Sequence, residues 1–173
     1  MSKIKLYVSC HKISRVPIDS IFCPIQVGTA IAGKRFENML HDDTGDNIST
    51  KNPMYCTSLG KVILAYTDED TRQQIVNRIK FSRKTENTIM TKAELEKELE
   101  KVRNQGYALD AREMEDHMEC AGAAVFGPDG SVMGAISVSS LYKPGEDYDA
   151  LGSLVCKKAA EVSRLLGFLG KTS

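Results

Sequence analysis

The segment from Gly106 to Ser140 constrains the fold more than any other part of this 173-residue chain. Two apolar stretches within it, Ala121–Phe126 and Val132–Ser139, are separated by the four residues GPDG. Apolar runs of this length on either side of a short link that contains Gly and Pro predict a β-hairpin. We therefore expect two adjacent antiparallel strands in this segment.

Helices are predicted on both sides of the hairpin. Thr91 and Glu94 form a capping box, and apolar residues then recur at helical spacing until Gly106 ends the helix. Residues Asp147–Leu169 predict an amphipathic helix, with an apolar face made of Leu151, Leu154, Val155, Val162, Leu165, Leu166 and Leu169. Further predicted elements are a strand at Ile4–Cys10 and helices at Ile25–Ala32, Leu59–Tyr66 and 68–79. This order of elements predicts an α+β fold, an antiparallel sheet with helices packed on it.

Composition excludes several classes of protein. The chain is long enough for one domain with a sizeable core. Its formal net charge is zero, so direct binding to nucleic acid is not expected. The five cysteines are an odd number without a CxxC pair, which is typical of reduced thiols in a cytosol. No apolar run approaches the ~20 residues of a membrane span, so we expect a cytoplasmic protein without membrane contact.

Four polar residues of the Gly106–Ser140 segment are candidates for one small site. Ser137 and Ser139 lie two apart on a predicted strand, so their hydroxyls share a face. Such hydroxyls either bond to neighbouring backbone or donate to a ligand carboxylate or carbonyl. Cys120 is either a small buried hydrophobic residue or a ligand-lining thiol, and nothing around it indicates a catalytic nucleophile. Asp110 is either a turn cap or an acceptor for a ligand hydroxyl.

Two further features could bind anions or cations. Ser58 and Leu59 open a predicted helix, whose free amides can hold a small anion. Asp42 and Asp43 lie in a loop rich in turn formers, and paired carboxylates suit Mg²⁺ or Mn²⁺. A solvated turn explains the same pair of aspartates. We expect no metal or cofactor in the main site.

Four stretches from Pro53 to about Leu169 carry a family resemblance. They are PMYCTSLGKVILA, TENTIMT, NQGYALDAREME and ECAGAAVFGPDGSVMGAISVSS, in this order. Together they resemble the effector-binding domain of IclR-type bacterial transcription regulators. The resemblance implies a GAF- or profilin-like α+β domain at 53–173 that binds a small organic acid or sugar acid and forms homodimers or tetramers.

The resemblance also implies the ligand-binding residues and the partners. The ligand pocket of the family matches Ser58, Leu59, Asp110, Cys120, Ser137 and Ser139 of this chain. Regulators of this family bind DNA through a separate winged helix-turn-helix domain. No such motif precedes the domain here, so this chain alone is not expected to bind DNA. The resemblance implies no enzymatic activity.

The N-terminal part resembles a different family. The stretches KIKLYVSCHK, PIQVG and LHDDTGDNISTKNPMYC, within about residues 3–56, are similar to the start of a glycosyltransferase-like family of bacterial capsule and exopolysaccharide genes. The sequence therefore predicts a hybrid, with a glycosyltransferase-like fragment at 1–52 and a truncated regulator domain after it. The strand at Ile4–Cys10 could then replace a missing strand of the sheet.

Two other functional hypotheses follow from the hybrid. One is a sugar-nucleotide glycosyltransferase that uses Asp42 and Asp43, although about fifty residues are too few for a nucleotide-sugar fold. The other is a non-functional hybrid with an unpaired sheet edge. The main prediction is a metabolite-sensing module of a transcription regulator.

Overall fold

The computed structural model describes residues 5–10, by their backbone, and residues 53–170. The strands are β1 (Lys5–Cys10), β2 (Tyr107–Ala111), β3 (Met118–Phe126) and β4 (Val132–Leu141). The helices are α1 (Ser58–Tyr66), α2 (Glu69–Arg78), α3 (Lys92–Gln105) and α4 (Tyr148–Leu165), and a 3₁₀ turn at Met54–Cys56 precedes α1. The predicted helix at Ile25–Ala32 and the aspartates Asp42 and Asp43 lie outside the described residues.

The strands form one antiparallel sheet in the order β1-β4-β3-β2. The predicted hairpin is its centre, closed by a turn in which Gly127 and Ser131 are joined by a 2.8 Å backbone hydrogen bond. Strand β1 adds to the free edge of β4, with Tyr7 in register with Ser137. Strand β1 therefore lies at the edge of the sheet, as expected if it replaces a missing strand.

Helices cover both faces of this sheet. One core lies between the sheet and α1 to α3, and it takes Ala108, Ala124 and Ala135 from the strands. The other core lies under α4 and takes the intervening residues, among them Ile136 and Val138. Because alternate strand residues point to opposite faces, the register of β4 places Ser137 and Ser139 on the side of α1. The predicted α+β class is confirmed.

Local signals explain where the helices begin and end. The Thr91 hydroxyl accepts from the Glu94 amide, and the Glu94 carboxylate accepts from the Thr91 amide, as the capping box predicts. Gly106 ends α3 with a φ of 86°, a left-handed conformation that favours glycine. Thr57 caps α1 by accepting from the Gly60 amide, at 3.2 Å. Within the described part of the chain, no helix is long and apolar enough to span a membrane.

The structure differs from the predicted elements at three of them, one strand that was not predicted and two elements whose bounds differ. Strand β2 was not predicted, because five residues that follow directly on a helix give little periodicity. Strand β3 begins at Met118 rather than at Ala121, since its first residues are polar. Helix α4 ends at Leu165, and its predicted apolar face is too wide. Leu154 and Leu165 are exposed, because they lie on the flank of the helix rather than on the stripe that faces the sheet.

Candidate ligand-binding site

Three polar residues line up in one row across the sheet. Asp110 of β2 is in register with Cys120 of β3, and Cys120 is in register with Ser139 of β4. Residues paired in this way project from the same face of an antiparallel sheet. The row lies on the side of α1, so three of the predicted ligand-binding residues come together.

The start of α1 lies over the next row. Ser137 is in register with Gly122, and a Cβ added to Gly122 would lie 3.1 Å from the carbonyl carbon of Ser58. Ser58 is itself buried, whereas the Leu59 side chain is partly buried and packs against the core between the sheet and α1 to α3. The amides of Ser58 and Leu59 belong to the first turn of α1, where a helix leaves its N–H groups free. Leu59 can therefore contribute its backbone amide to a site, whereas its side chain packs against the core.

Asp110 caps a tight turn at the end of its strand. Its Oδ1 accepts hydrogen bonds from the amides of Glu113, at 2.8 Å, and of Met114, at 3.2 Å. Burial raises the pKa of the Asp110 carboxyl, and these two amides oppose that rise. The structure thus shows the turn cap, and the second role left open by the sequence, an acceptor for a ligand hydroxyl, stays a prediction.

Cys120 carries a neutral thiol. Its Sγ lies 3.0 Å from the Ser139 hydroxyl oxygen. Burial, with a smaller contribution from Asp110, raises the pKa of Cys120 to about 12. Because the thiolate is the nucleophilic form, this cysteine is suited to hydrogen bonding and contact rather than to covalent chemistry.

A model of a known protein family matches residues 35–164, and its description is bacterial transcriptional regulator IclR C-terminal. The chain belongs to the IclR C-terminal domain family. The match begins at residue 35, within the range that the sequence analysis assigned to an N-terminal fragment. The resemblance of that fragment to a glycosyltransferase-like family, and with it the hybrid organisation, stays a prediction.

Curated relatives of this IclR-type domain are transcription regulators. The chain is 39% identical over 92 residues to the HTH-type transcriptional regulator KdgR of Escherichia coli (strain K12), an alignment that covers 53% of this chain and 35% of that protein. It is 26% identical over 137 residues to the HTH-type transcriptional regulator XynR of the same strain, covering 78% of this chain and 54% of XynR. The chain thus spans between about a third and a half of the length of these two relatives.

Solved structures agree on the fold. The C-terminal domain of the E. coli transcriptional regulator KdgR superposes with a TM-score of 0.61 at 30% identity, over 70% of this chain and 75% of that one. The Thermotoga maritima IclR superposes with a TM-score of 0.65 at 30% identity, over 73% of this chain and 52% of that one. The family and the fold predicted from the sequence are therefore confirmed.

The IclR-type domain contains a buried ion pair that the sequence analysis missed. Lys61 of α1 is fully buried, and its ammonium donates to the carboxylate of Glu113 and, at 3.3 Å, to that of Glu98. Glu113 is also buried. The signal was present in the sequence, since a lysine within the apolar run of α1 can be buried only if it finds a counter-ion.

Glu113 links this ion pair to the polar row. Its backbone amide bonds to Asp110, and its side chain bonds to Lys61. Burial raises the pKa of Glu113 to about 7, although the Lys61 ammonium opposes the rise. Its Oε2 is buried and has no hydrogen-bond partner among the described residues. The turn that Asp110 caps is thus anchored to α1 by charge.

Proposed function

We propose that this chain is the effector-binding and oligomerisation module of a bacterial transcription regulator, and that it senses a small organic acid or sugar acid. The observation that carries the proposal is the row of Asp110, Cys120 and Ser139. Ser137 lies in the adjoining row, and the first turn of α1 lies over Gly122. The pairing of β2, β3 and β4 sets the positions of these four residues, so the arrangement follows from the fold of the sheet.

The chemistry of these groups favours a hydroxylated or carbonyl-bearing acid. The hydroxyls of Ser137 and Ser139 and the amides of Ser58 and Leu59 can donate to a carboxylate, and the amides add the positive end of the helix dipole. The Asp110 carboxylate can accept from a ligand hydroxyl, while the neutral Cys120 thiol fills the space between. We propose that these six residues form the binding site.

We propose that DNA is reached through a separate domain. The names of the relatives KdgR and XynR describe them as HTH-type regulators, and the chain spans only part of their length. A neutral chain offers little attraction to a phosphate backbone by itself. We further propose that the module acts in the cytoplasm, where operator DNA lies, and that it has no enzymatic activity.

Thermal unfolding with matched ligands tests the proposal. Gluconate and the sugar alcohol sorbitol share an open polyol chain, but only gluconate carries a carboxylate. A ligand that binds only the folded state raises the melting temperature, and the rise increases with the logarithm of the ligand concentration above its Kd. We expect sugar acids or short keto acids to raise it and their uncharged counterparts to leave it unchanged. An equal rise with gluconate and sorbitol would contradict a carboxylate site.

A further inference from the structure

Four charged side chains adjoin the proposed effector site, and we call them the charged cluster: Lys61, Glu98, Asp110 and Glu113. Lys61 and Glu113 are 0% and 6% exposed, and Asp110 is 5% exposed. The Lys61 ammonium donates to Oε1 of Glu113 and, at 3.3 Å, to Oε1 of Glu98. Lys61 follows Ser58 by three residues, so both lie on the same face of α1, one turn apart. The charged cluster therefore borders the site beneath the start of α1.

The charged cluster has an excess of negative charge. Among the residues that the structure describes, the carboxylates of Glu98, Asp110 and Glu113 surround one buried ammonium, that of Lys61. Glu115 is exposed and adds to the negative field at Asp110. A bound acid brings one more negative charge into a region that water screens poorly. The start of α1 offsets only about half an elementary charge through the helix dipole, so acid binding requires a further positive charge.

The neighbouring groups do not supply that charge. The guanidinium of Arg112 is directed to the other face of the sheet, where its Nε lies 3.7 Å from the Glu119 carboxylate. Lys84 is exposed, so water screens its ammonium. The thiols of Cys56 and Cys120 are neutral, because burial raises the pKa of each to about 12. A proton from solvent can supply the charge that these groups do not.

Glu113 is the group best placed to take up this proton. Its Oε1 accepts from Lys61, whereas its Oε2 is buried and has no hydrogen-bond partner among the described residues. A proton can therefore be added at Oε2 without loss of the contact with the ammonium. Burial already raises the pKa of Glu113 to about 7, so its protonation responds to small changes near neutral pH. Asp110 is less suited, because the amides of Glu113 and Met114 donate to it and favour its charged form.

The turn that carries Glu113 is fixed from a second side. The Thr85 hydroxyl donates to the Arg112 carbonyl, at 2.7 Å, and the Thr88 hydroxyl donates to the Glu113 carbonyl, at 2.8 Å. Both threonines are buried. Together with the cap by Asp110, these bonds hold the backbone on both sides of Glu113. A change in protonation is therefore favoured over a movement of this side chain into water.

We propose that Glu113 takes up a proton from solvent when an acid effector binds, and that this proton balances the charge of the bound carboxylate. Glu113 acts on the effector through Asp110 and Lys61, so it is a positioning residue. Because the bound state holds the proton more tightly than the free state, affinity is highest at low pH. It falls as pH rises through the pKa of Glu113 in the free protein. The inference rests on the proposed function and adds that the site responds to pH as well as to the acid.

Calorimetric titration in two buffers counts the proton. Glyoxylate, pyruvate and gluconate are each titrated at pH 7 in Pipes and in imidazole, two buffers that differ in their heat of ionisation. Since about half of the Glu113 side chains are ionised at this pH, we expect uptake of about half a proton per bound acid. The dissociation constant should rise by up to about tenfold from pH 6 to pH 8.

A substitution of Glu113 by glutamine removes the titrating group. In Glu113→Gln the amide stands for the protonated carboxyl, so we expect no proton uptake and a dissociation constant that does not change with pH. At pH 8 the variant should bind the acid up to about tenfold more tightly than the wild type, whereas a purely structural role would weaken binding. Glu86→Gln, the same change at a side chain that is 96% exposed, should keep the proton uptake and the pH dependence of the wild type.

The outcomes separate this inference from the proposed function. Saturable heat that is equal in the two buffers would overturn the inference and leave the proposed function intact. Proton uptake that persists in Glu113→Gln would assign the proton to another group and would also overturn it. The wild-type titration needs no variant, so the inference can be overturned even where Glu113→Gln does not fold. No saturable heat from any of the acids would contradict the proposed function and this inference with it.

Discussion

Cys120 and Ser139 face each other across β3 and β4, with the sulfur and the hydroxyl oxygen 3.0 Å apart. A serine hydroxyl has one donor and two acceptor positions, so this contact leaves bonding capacity for a ligand. Asp110 ends the same row on β2. The finding explains how a sheet with many small and apolar residues keeps one polar patch beneath the start of α1.

Removal of either serine hydroxyl should weaken effector binding. Ser137→Ala and Ser139→Ala are each expected to cost about 1–3 kcal/mol of binding free energy, because each removes one hydrogen bond in a buried site. Isothermal titration calorimetry measures the loss, and Ser153→Ala, at an exposed serine of α4, is the matched control. Unchanged affinity in both variants would show that the binding site does not include these residues of β4.

Substitution of Gly122 should disturb the site through the backbone. An alanine Cβ at this position would lie 3.1 Å from the carbonyl group of Ser58, so the start of α1 must shift. Overpacking of this kind costs about 1–3 kcal/mol, and we expect effector affinity to fall with it. Gly60→Ala should be more severe, since its Cβ would lie 2.3 Å from the Cα of Met54. Wild-type affinity in Gly122→Ala would show that α1 does not form part of the site.

The hairpin and the capped helix were predictable because their signals are local. The GPDG link and the box of Thr91 and Glu94 act within a few residues, and the structure shows both. Ser137 and Ser139 were assigned to a common face by the two-residue period of a strand. These predictions needed no knowledge of how distant segments pack.

Long-range relationships were not predictable from the residues alone. Nothing local indicates that Lys61 meets Glu113, which lies 52 positions further along the chain. The exposure of Leu154 and Leu165 depends on which stripe of α4 the sheet selects. By sequence, Asp110 could be a turn cap or a ligand acceptor. Its role as a cap became visible only from the hydrogen bonds that it accepts from the amides of Glu113 and Met114.

The buried pair of Lys61 and Glu113 should behave as a unit. Lys61→Met is expected to lower the free energy of unfolding by about 3–5 kcal/mol, because it leaves a buried carboxyl without its counter-ion. The double variant Lys61→Met/Glu113→Gln should lose less than the sum of the single variants in urea denaturation. Strictly additive losses would show that the two side chains are not coupled.

Glu113 should make stability fall as pH rises. Folding raises its pKa from the ordinary 4.5 to about 7, mainly by burial. The group therefore stabilises the folded state fully below pH 4.5, and this contribution is lost as pH rises to about 7. Between these values the wild type should lose up to about 1.4 kcal/mol per pH unit relative to Glu113→Gln. The free energies of unfolding of the two proteins are measured from pH 5 to 8. The same change with pH in both would contradict this assignment.

The central claim is that the row from Asp110 to Ser139, with the start of α1, binds a small acid. The most direct test is calorimetric titration of the folded chain with glyoxylate, pyruvate and a set of sugar acids. We predict saturable heat, with one site per chain, for at least one of these acids. The absence of saturable heat from every acid, in a sample that unfolds cooperatively on heating, would contradict the account.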